Sequence, residues 1–146
     1  MYEALFSFAN LSVLPAWLML AVAPGSVWTR RLVNSGAWSL LYAVAYAVLL
    51  AAIFARGEGG ALSTLAAVRH AFGQPSIALL GWVHYLAFDL LAGARITEEG
   101  SEAGCSRWFM APFLFLTLMF GPVGFLLWRG ARGMRRSVRG RAPEPA

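Results

Sequence analysis

Four long apolar runs, separated by short polar segments, dominate the pattern of hydrophobic and polar positions in this chain. They extend over Leu5–Trp28, Leu32–Ala55, Ala71–Gly93 and Trp108–Trp128. Each is close to the roughly 20 residues that a helix needs to cross about 30 Å of hydrocarbon. The pattern therefore predicts four transmembrane helices. Only the third run contains acidic, basic or histidine side chains, His84 and Asp89.

A water-soluble four-helix bundle is the alternative, but it requires a polar stripe on each helix at a period of about 3.6 residues, and none of the runs has one. With 59% hydrophobic and 13% charged residues in 146, little sequence remains for a soluble domain. The predicted fold class is all-α: an integral membrane four-helix bundle over residues 1–129, followed by a basic, disordered tail over 130–146. The spacing over Ala61–Phe72 predicts a short interfacial helix between the second and third spans.

Charge predicts the orientation. All twelve basic residues are arginine, and six of them follow the last run: Arg129, Arg132, Arg135, Arg136, Arg139 and Arg141. The positive-inside rule places this tail in the cytoplasm, and four spans return the N-terminus to the same side. Arg30 and Arg31 then face outward, which argues mildly against this orientation. The net charge of +5 is better explained by anionic lipid headgroups than by nucleic acid, and the expected location is a bacterial cytoplasmic membrane.

Polar residues inside a span must face the bundle interior or water, so the third run is the most informative. At about 100° per residue, Trp82, Tyr85, Asp89 and Ile96 form one stripe of this helix. A neighbouring stripe holds His84, Phe88, Leu91 and Arg95. His84 and Asp89 lie about 140° apart and need partners from elsewhere. The candidate partners of Asp89 are Asn10, Tyr42, Tyr46, Tyr85 and Arg95.

Burial leaves two roles open for Asp89. It is a proton donor if its neighbours are apolar, or the anchor of an ion pair if an arginine reaches it. A purely structural hydrogen bond between helices is as well supported as either. His70, His84 and Asp89 would suit iron, but a Gly73–Pro75 break separates His70 from the other two, so we predict no metal site. We expect no cofactor, and the single cysteine, Cys105, excludes an intramolecular disulfide.

Several segments resemble one known family. They are Ala9-Asn10-Leu11-Ser12-Val13-Leu14-Pro15-Ala16-Trp17, Ala23-Pro24, Thr29-Arg30-Arg31, Trp82-Val83-His84-Tyr85-Leu86-Ala87-Phe88-Asp89-Leu90, Gly93-Ala94-Arg95 and Gly121-Pro122-Val123-Gly124. In order and spacing they are similar to the ABA-deficient-4-like membrane proteins. Plant members of that family are required to make neoxanthin from violaxanthin. The absence of a transit peptide and the arginine-rich tail indicate a bacterial-type member.

The resemblance implies a membrane protein that handles a carotenoid or another long polyene, but it assigns no catalytic residues. Isomerising a polyene or opening an epoxide passes through a protonated or cationic state, for which Asp89 as acid and His84 as base are suited. The candidate substrate-binding residues are Asn10, Trp17, Tyr42, Trp82, Tyr85 and Arg95. The alternative is a non-catalytic scaffold or carotenoid-binding subunit. Expected partners are the bilayer, a second copy of the chain or a partner enzyme.

Overall fold

The computed structural model describes residues 1–58, 60 and 62–139, with side chains to residue 135, and every regular element in that part of the chain is helical. The elements are α1 (Tyr2–Val22), α2 (Val27–Thr29), a π-helical turn (Arg30–Asn34), α3 (Ala37–Ala55), α4 (Leu65–Phe72), α5 (Pro75–Glu102), α6 (Arg107–Phe120) and α7 (Pro122–Arg139). The all-α prediction is confirmed.

Three helical stretches are long and apolar enough to cross a membrane: α1, the stretch Val27–Ala55, and α5. Their lipid-facing character is visible in burial, because many large apolar side chains of α1 and α3 are exposed, Leu11, Leu18 and Leu40 among them. No polar stripe covers these side chains, so an apolar solvent is the environment that suits them. The structure thus supports a membrane protein with three span-length helices.

Helix α5 lies at the centre of the bundle. Pro75 occupies its first turn, where a missing N–H costs nothing, and α1, α3 and α6 all pack against it. Helix α1 runs parallel to α5, since Asn10 bonds Trp82 near one end and Trp17 packs on Gly93 further along. A Cβ at Gly93 would lie 2.8 Å from the Trp17 ring, so this close approach requires glycine.

The fourth apolar run is not one continuous helix. Helix α6 ends at Phe120, Gly121 adopts φ +46°, and α7 begins at Pro122. Gly121 takes a conformation that other residues rarely adopt, and Pro122 has no N–H to continue the α6 hydrogen bonds. The chain therefore reverses, and α7 packs back along α6, with Trp128 against the rings of Phe109 and Phe113. We call α6 and α7 together the hairpin.

The turn of the hairpin and its two ends lie at different levels of the helical bundle. Its turn at Gly121 touches Asp89, halfway along α5, whereas Arg135 of α7 reaches Cys105, just beyond the end of α5. The hairpin thus enters and leaves at the same end of the bundle, about 20 Å from its turn at 1.5 Å per residue. The prediction of a fourth span over Trp108–Trp128 is not confirmed, because a Gly-Pro pair within this run ends one helix and reverses the chain.

Two smaller expectations concern segments outside the long helices. A short helix, α4, does lie between α3 and α5, and Thr64 caps it by accepting a hydrogen bond from the backbone N–H of Ala67 at 3.1 Å. The tail expected from residue 130 instead continues α7 as a helix to Arg139. The final part of that predicted disordered tail, residues 140–146, lies outside the described residues.

Candidate functional site

The two stripes predicted on α5 separate into an inner and an outer face. Asp89 and Ile96 of the first stripe are buried, and Tyr85 is half-buried. The members of the second stripe, His84, Phe88, Leu91 and Arg95, are all exposed. The inner stripe faces α1 and the hairpin, and it carries the most unusual polar group of the bundle, the Asp89 carboxyl.

Asp89 lies against the turn of the hairpin and is only 7% exposed. A Cβ built on Gly121 would stand 2.5 Å from Asp89 Oδ1, so the carboxyl occupies the space that any other residue at 121 would fill. Its second oxygen, Oδ2, is buried and has no hydrogen-bond partner among the described residues. No arginine pairs with Asp89 in that part of the chain, so the ion-pair role is not what the structure shows.

A row of polar side chains connects Asp89 to α1. Tyr85 interacts with the carboxyl of Asp89 through its side chain and also donates to the Leu118 carbonyl of α6 at 3.4 Å. The Trp82 ring lies 5.4 Å from that of Tyr85, and its Nε1–H donates to Asn10 Oδ1 at 2.9 Å. Of the eight candidate residues, the structure thus gathers four in one place. We call Asn10, Trp82, Tyr85 and Asp89 the Asp89 row.

His84 lies elsewhere. It points toward α3, with its ring 5.4 Å from Tyr46 and 4.7 Å from Phe88, and it forms no hydrogen bond to another described residue. The sequence placed His84 and Asp89 on different sides of one helix, and the fold leaves them there. An acid and a base that act together on one atom of a substrate are therefore not assembled from this pair.

The three remaining candidates have distinct positions. Tyr42 donates to the Ala9 carbonyl at 2.7 Å and shares a 2.7 Å hydrogen bond with Ser12, tying α3 to α1. Trp17 is buried in the packing of α1 on α5. Arg95 forms ion pairs with Glu98 at 2.8 Å and Glu99 at 3.0 Å at the end of α5. None of the three adjoins the Asp89 row as a further polar group.

An apolar groove of about 540 Å³ separates α1 from α3, which both pack on α5 but only weakly on each other. Leu79 and Val83 of α5 form its floor. The hydroxyls of Ser12 and Tyr42 are already engaged in the hydrogen bonds described above, and Trp38 is the other lining residue that carries a polar atom. The groove therefore offers an elongated hydrocarbon surface with little polar recognition.

Sequence reasoning missed a second buried carboxylate. Glu99 is 2% exposed and accepts hydrogen bonds from Trp128 at 3.1 Å and Arg129 at 3.0 Å, and it also pairs with Arg132. These contacts attach α7 to the end of α5. The spacing of Arg95 and Glu99 hinted at a local pair, but no sequence signal connects Glu99 to arginines thirty residues later. Among the described residues, no group of three or more His, Cys, Asp and Glu is placed to bind a metal.

The fold and site define a class: a helical membrane protein with span-length helices around α5 and a carboxyl buried halfway along α5 against a helical hairpin. The chain belongs to the ABA DEFICIENT 4-like family, whose sequence profile matches residues 4–128. This match confirms the resemblance seen in the sequence and covers α1 to the middle of α7. No curated protein and no solved structure matches the chain.

Proposed function

We propose that the chain acts on a carotenoid-like polyene within the bilayer, and that Asp89 is the acid of that reaction. Family membership and three span-length apolar helices support a carotenoid-related membrane protein. The observation that carries this proposal is the Asp89 carboxyl itself, which is buried at half the length of α5 with one oxygen unpartnered among the described residues. A carboxyl retained at such a position without a cation is costly, and such residues are commonly functional.

In the proposed reaction the proton moves from Asp89 Oδ2 to a polyene carbon or to the oxygen of an epoxide. Positive charge then develops along the conjugated chain, and the faces of Trp82 and Tyr85 stabilise it. Loss of a proton from the substrate back to the Asp89 carboxylate completes an isomerisation or a rearrangement with no net change in protons or electrons. Tyr85, beside the carboxyl, orients it. Because His84 lies on the other face, Asp89 serves as both acid and base.

The substrate reaches this site laterally from the lipid. Phe120 and Val123, on either side of the hairpin turn, are exposed by 60% and 50% and mark the surface nearest to Asp89. A polyene lying along this surface would need only a small displacement of the turn to contact the carboxyl. Nonpolar access from the bilayer also keeps water from quenching a cationic intermediate.

The experiment that tests the proposal is a pigment profile by chromatography from a carotenoid-producing bacterial host. It compares the wild-type chain, Asp89→Asn, Tyr85→Phe and an empty vector, with membrane abundance measured for each. We expect a new isomer or rearranged epoxide with the wild-type chain, none with Asp89→Asn, and a reduced amount with Tyr85→Phe. An identical product from Asp89→Asn at equal abundance would contradict an acid role for Asp89.

A second candidate function is binding without chemistry, as a scaffold or carotenoid-binding subunit. The apolar groove between α1 and α3 favours it, since its two hydroxyls are already hydrogen-bonded and most of its lining is hydrocarbon. On this alternative, pigment copurifies with the chain but is chemically unchanged. Copurification that Asp89→Asn leaves intact, with no new product in any background, would support binding over catalysis.

The hairpin also supports a revised orientation. Arg30 and Arg31 and the arginines of α6 and α7 lie at the end of the bundle that holds Cys105, whereas Arg56 and Arg69 lie at the other end. By the positive-inside rule, the Cys105 end is cytoplasmic and the N-terminus of α1 faces outward. The earlier conflict between Arg30, Arg31 and the tail disappears, because all of them face the cytoplasm.

The single cysteine makes this orientation testable. A membrane-impermeant maleimide should label Cys105 in inside-out vesicles and not in intact spheroplasts. A Cys105→Ser variant that also carries Glu3→Cys, an exposed position at the start of α1, should label in the reverse pattern. Labelling of Cys105 only in intact spheroplasts, with labelling of the Glu3→Cys position only in inside-out vesicles, would contradict the revised orientation and restore a cytoplasmic N-terminus.

A further inference from the structure

A second cavity lies on the face of α5 opposite to the Asp89 row. Its volume is about 340 Å³, within the range of small-molecule sites. Helices α3, α4 and α5 line it together with the loop before α4, and His84 and Tyr46 are its polar side chains. The lining is otherwise aliphatic and aromatic, with Phe54 and Phe72 among its members, and no charged side chain belongs to it among the described residues.

Helix α4 covers this cavity through a specific contact. The Phe72 ring, at the end of α4, packs on Gly81 of α5, where a Cβ would stand 2.8 Å from the ring. Glycine at 81 therefore allows α4 to lie close over α5, and Ala71 beside Phe72 is buried. The cavity is thus a cleft beside a short helix, open on the side where Phe54, Phe72 and His84 are exposed.

His84 is the polar group of this pocket that lacks a partner. Its ring is flanked by Tyr46 and Phe88, and it forms no hydrogen bond to any other described residue. About nine residues of α5 separate it from Pro75, which places it roughly 14 Å below the start of the helix. The imidazole is exposed on the surface of the protein, and at this position in a span it faces hydrocarbon without a hydrogen bond, which is unfavourable. An oxygen-bearing ligand would supply that hydrogen bond.

We propose that this pocket, the His84 pocket, binds a neutral lipid-like molecule through a single hydroxyl or carbonyl group that hydrogen-bonds the His84 imidazole. The described lining offers no arginine, lysine, aspartate or glutamate to a charged headgroup, so a neutral group is the ligand that fits it. The flanking rings of Tyr46, Phe54 and Phe72 suit a planar or cyclic end group. This site is separate from Asp89 and does not depend on its acid role.

The test uses all-trans-retinol as the probe, because it is neutral, apolar, fluorescent and carries one hydroxyl. The full-length protein in zwitterionic nanodiscs is titrated, energy transfer from tryptophan to retinol is recorded, and empty nanodiscs correct for partitioning. Anhydroretinol, which lacks the hydroxyl, and retinoic acid, which carries a charge, are the matched probes. The variants are His84→Leu, His84→Gln and Asp89→Asn.

We expect wild-type protein to bind retinol about fivefold more tightly than anhydroretinol, the effect of one hydrogen bond of about 1 kcal/mol. It should also bind retinol more tightly than retinoic acid, whose carboxylate meets no arginine or lysine in the described lining. His84→Leu should lose that preference, His84→Gln should keep most of it, and Asp89→Asn should not change it. Equal affinity for the three probes on wild-type protein would overturn the proposal, whatever the variants do. So would loss of binding in Asp89→Asn, which would place the probe at the Asp89 row.

Discussion

Asp89 and Glu99 are two buried carboxyl groups on the same helix, ten residues apart, and both touch the hairpin. Glu99 is surrounded by donors: Arg95 on its own helix, and Trp128, Arg129 and Arg132 on α7. Asp89 meets the backbone of Gly121 and has one oxygen without a partner in the described structure. Both carboxylate oxygens of Glu99 therefore have hydrogen-bond or ion-pair partners, whereas Asp89 Oδ2 has none in the described structure.

The difference indicates that Glu99 has a structural role and that Asp89 is the reactive carboxyl. A buried carboxylate with several charged and hydrogen-bonding partners fixes the elements that carry those partners. Glu99 therefore holds α7 in place, and with it the turn that meets Asp89. An under-satisfied carboxyl contributes little to holding helices together and remains available for a proton transfer. The predictions below test whether stability resides at Glu99 and reactivity at Asp89.

The largest effect should come from Glu99→Gln. This change removes the negative charge that pairs Arg132, whose side chain is only 14% exposed, and leaves that guanidinium poorly compensated. We expect the free energy of unfolding to fall by about 3 kcal/mol, as for other broken buried pairs, measured by denaturation in mixed micelles. Glu102→Gln, at an exposed neighbouring position, should change it by less than about 0.5 kcal/mol. Equal stability of the two variants would remove the distinction between Glu99 and other acids of this helix.

Gly121→Ala should have the next largest effect. The φ of +46° disfavours any Cβ, and this Cβ would also meet the Asp89 carboxyl. We expect a loss of about 1–3 kcal/mol, together with impaired pigment conversion, because the turn must move away from Asp89. Gly130→Ala is the control, since a Cβ there has open space and favours the α7 helix by about 0.5–1 kcal/mol. A Gly121→Ala protein as stable as Gly130→Ala would argue against the turn described here.

The smallest effect should come from the far end of the Asp89 row. Trp82→Phe removes the hydrogen bond from Nε1 to Asn10 but retains most of the ring. Hydrogen bonds between helices within membranes contribute about 0.6 kcal/mol on average, and we expect a stability loss of that order in the same assay. Trp28→Phe, at an exposed position whose indole makes no such bond, should be neutral. A loss above 2 kcal/mol for Trp82→Phe would mean that the row is structural.

Much of the fold follows from the sequence because span length and helical periodicity are local properties. The first three apolar runs correspond to span-length helices, and the two stripes on α5 became its inner and outer faces. The grouping of Trp82, Tyr85 and Asp89 follows from spacing on one helix. Asn10 lies beside them because α1 packs parallel to α5. That packing involves two separate segments, so neither segment alone predicts it.

The rest depends on contacts between distant segments. A Gly-Pro pair within an apolar run is compatible with a kinked span or a reversal, and tertiary packing decides between them. Here Trp128 packs on Phe109 and pairs with Glu99, contacts that exist only after reversal. The role of Glu99 was invisible for the same reason. Its partners come from the arginine-rich segment, whose composition indicated membrane orientation and gave no sign of a buried contact.

The hairpin has a consequence for how the protein is made. Under the orientation proposed above, α5 is the last segment that crosses the bilayer, and everything after Glu102 enters and returns on the cytoplasmic side. The arginines of α7 then never have to pass through hydrocarbon during insertion, although the helix that carries them packs against the buried end of α5. The site at Asp89 would be completed only at the end of synthesis, when the last helix folds back onto three spans already in place.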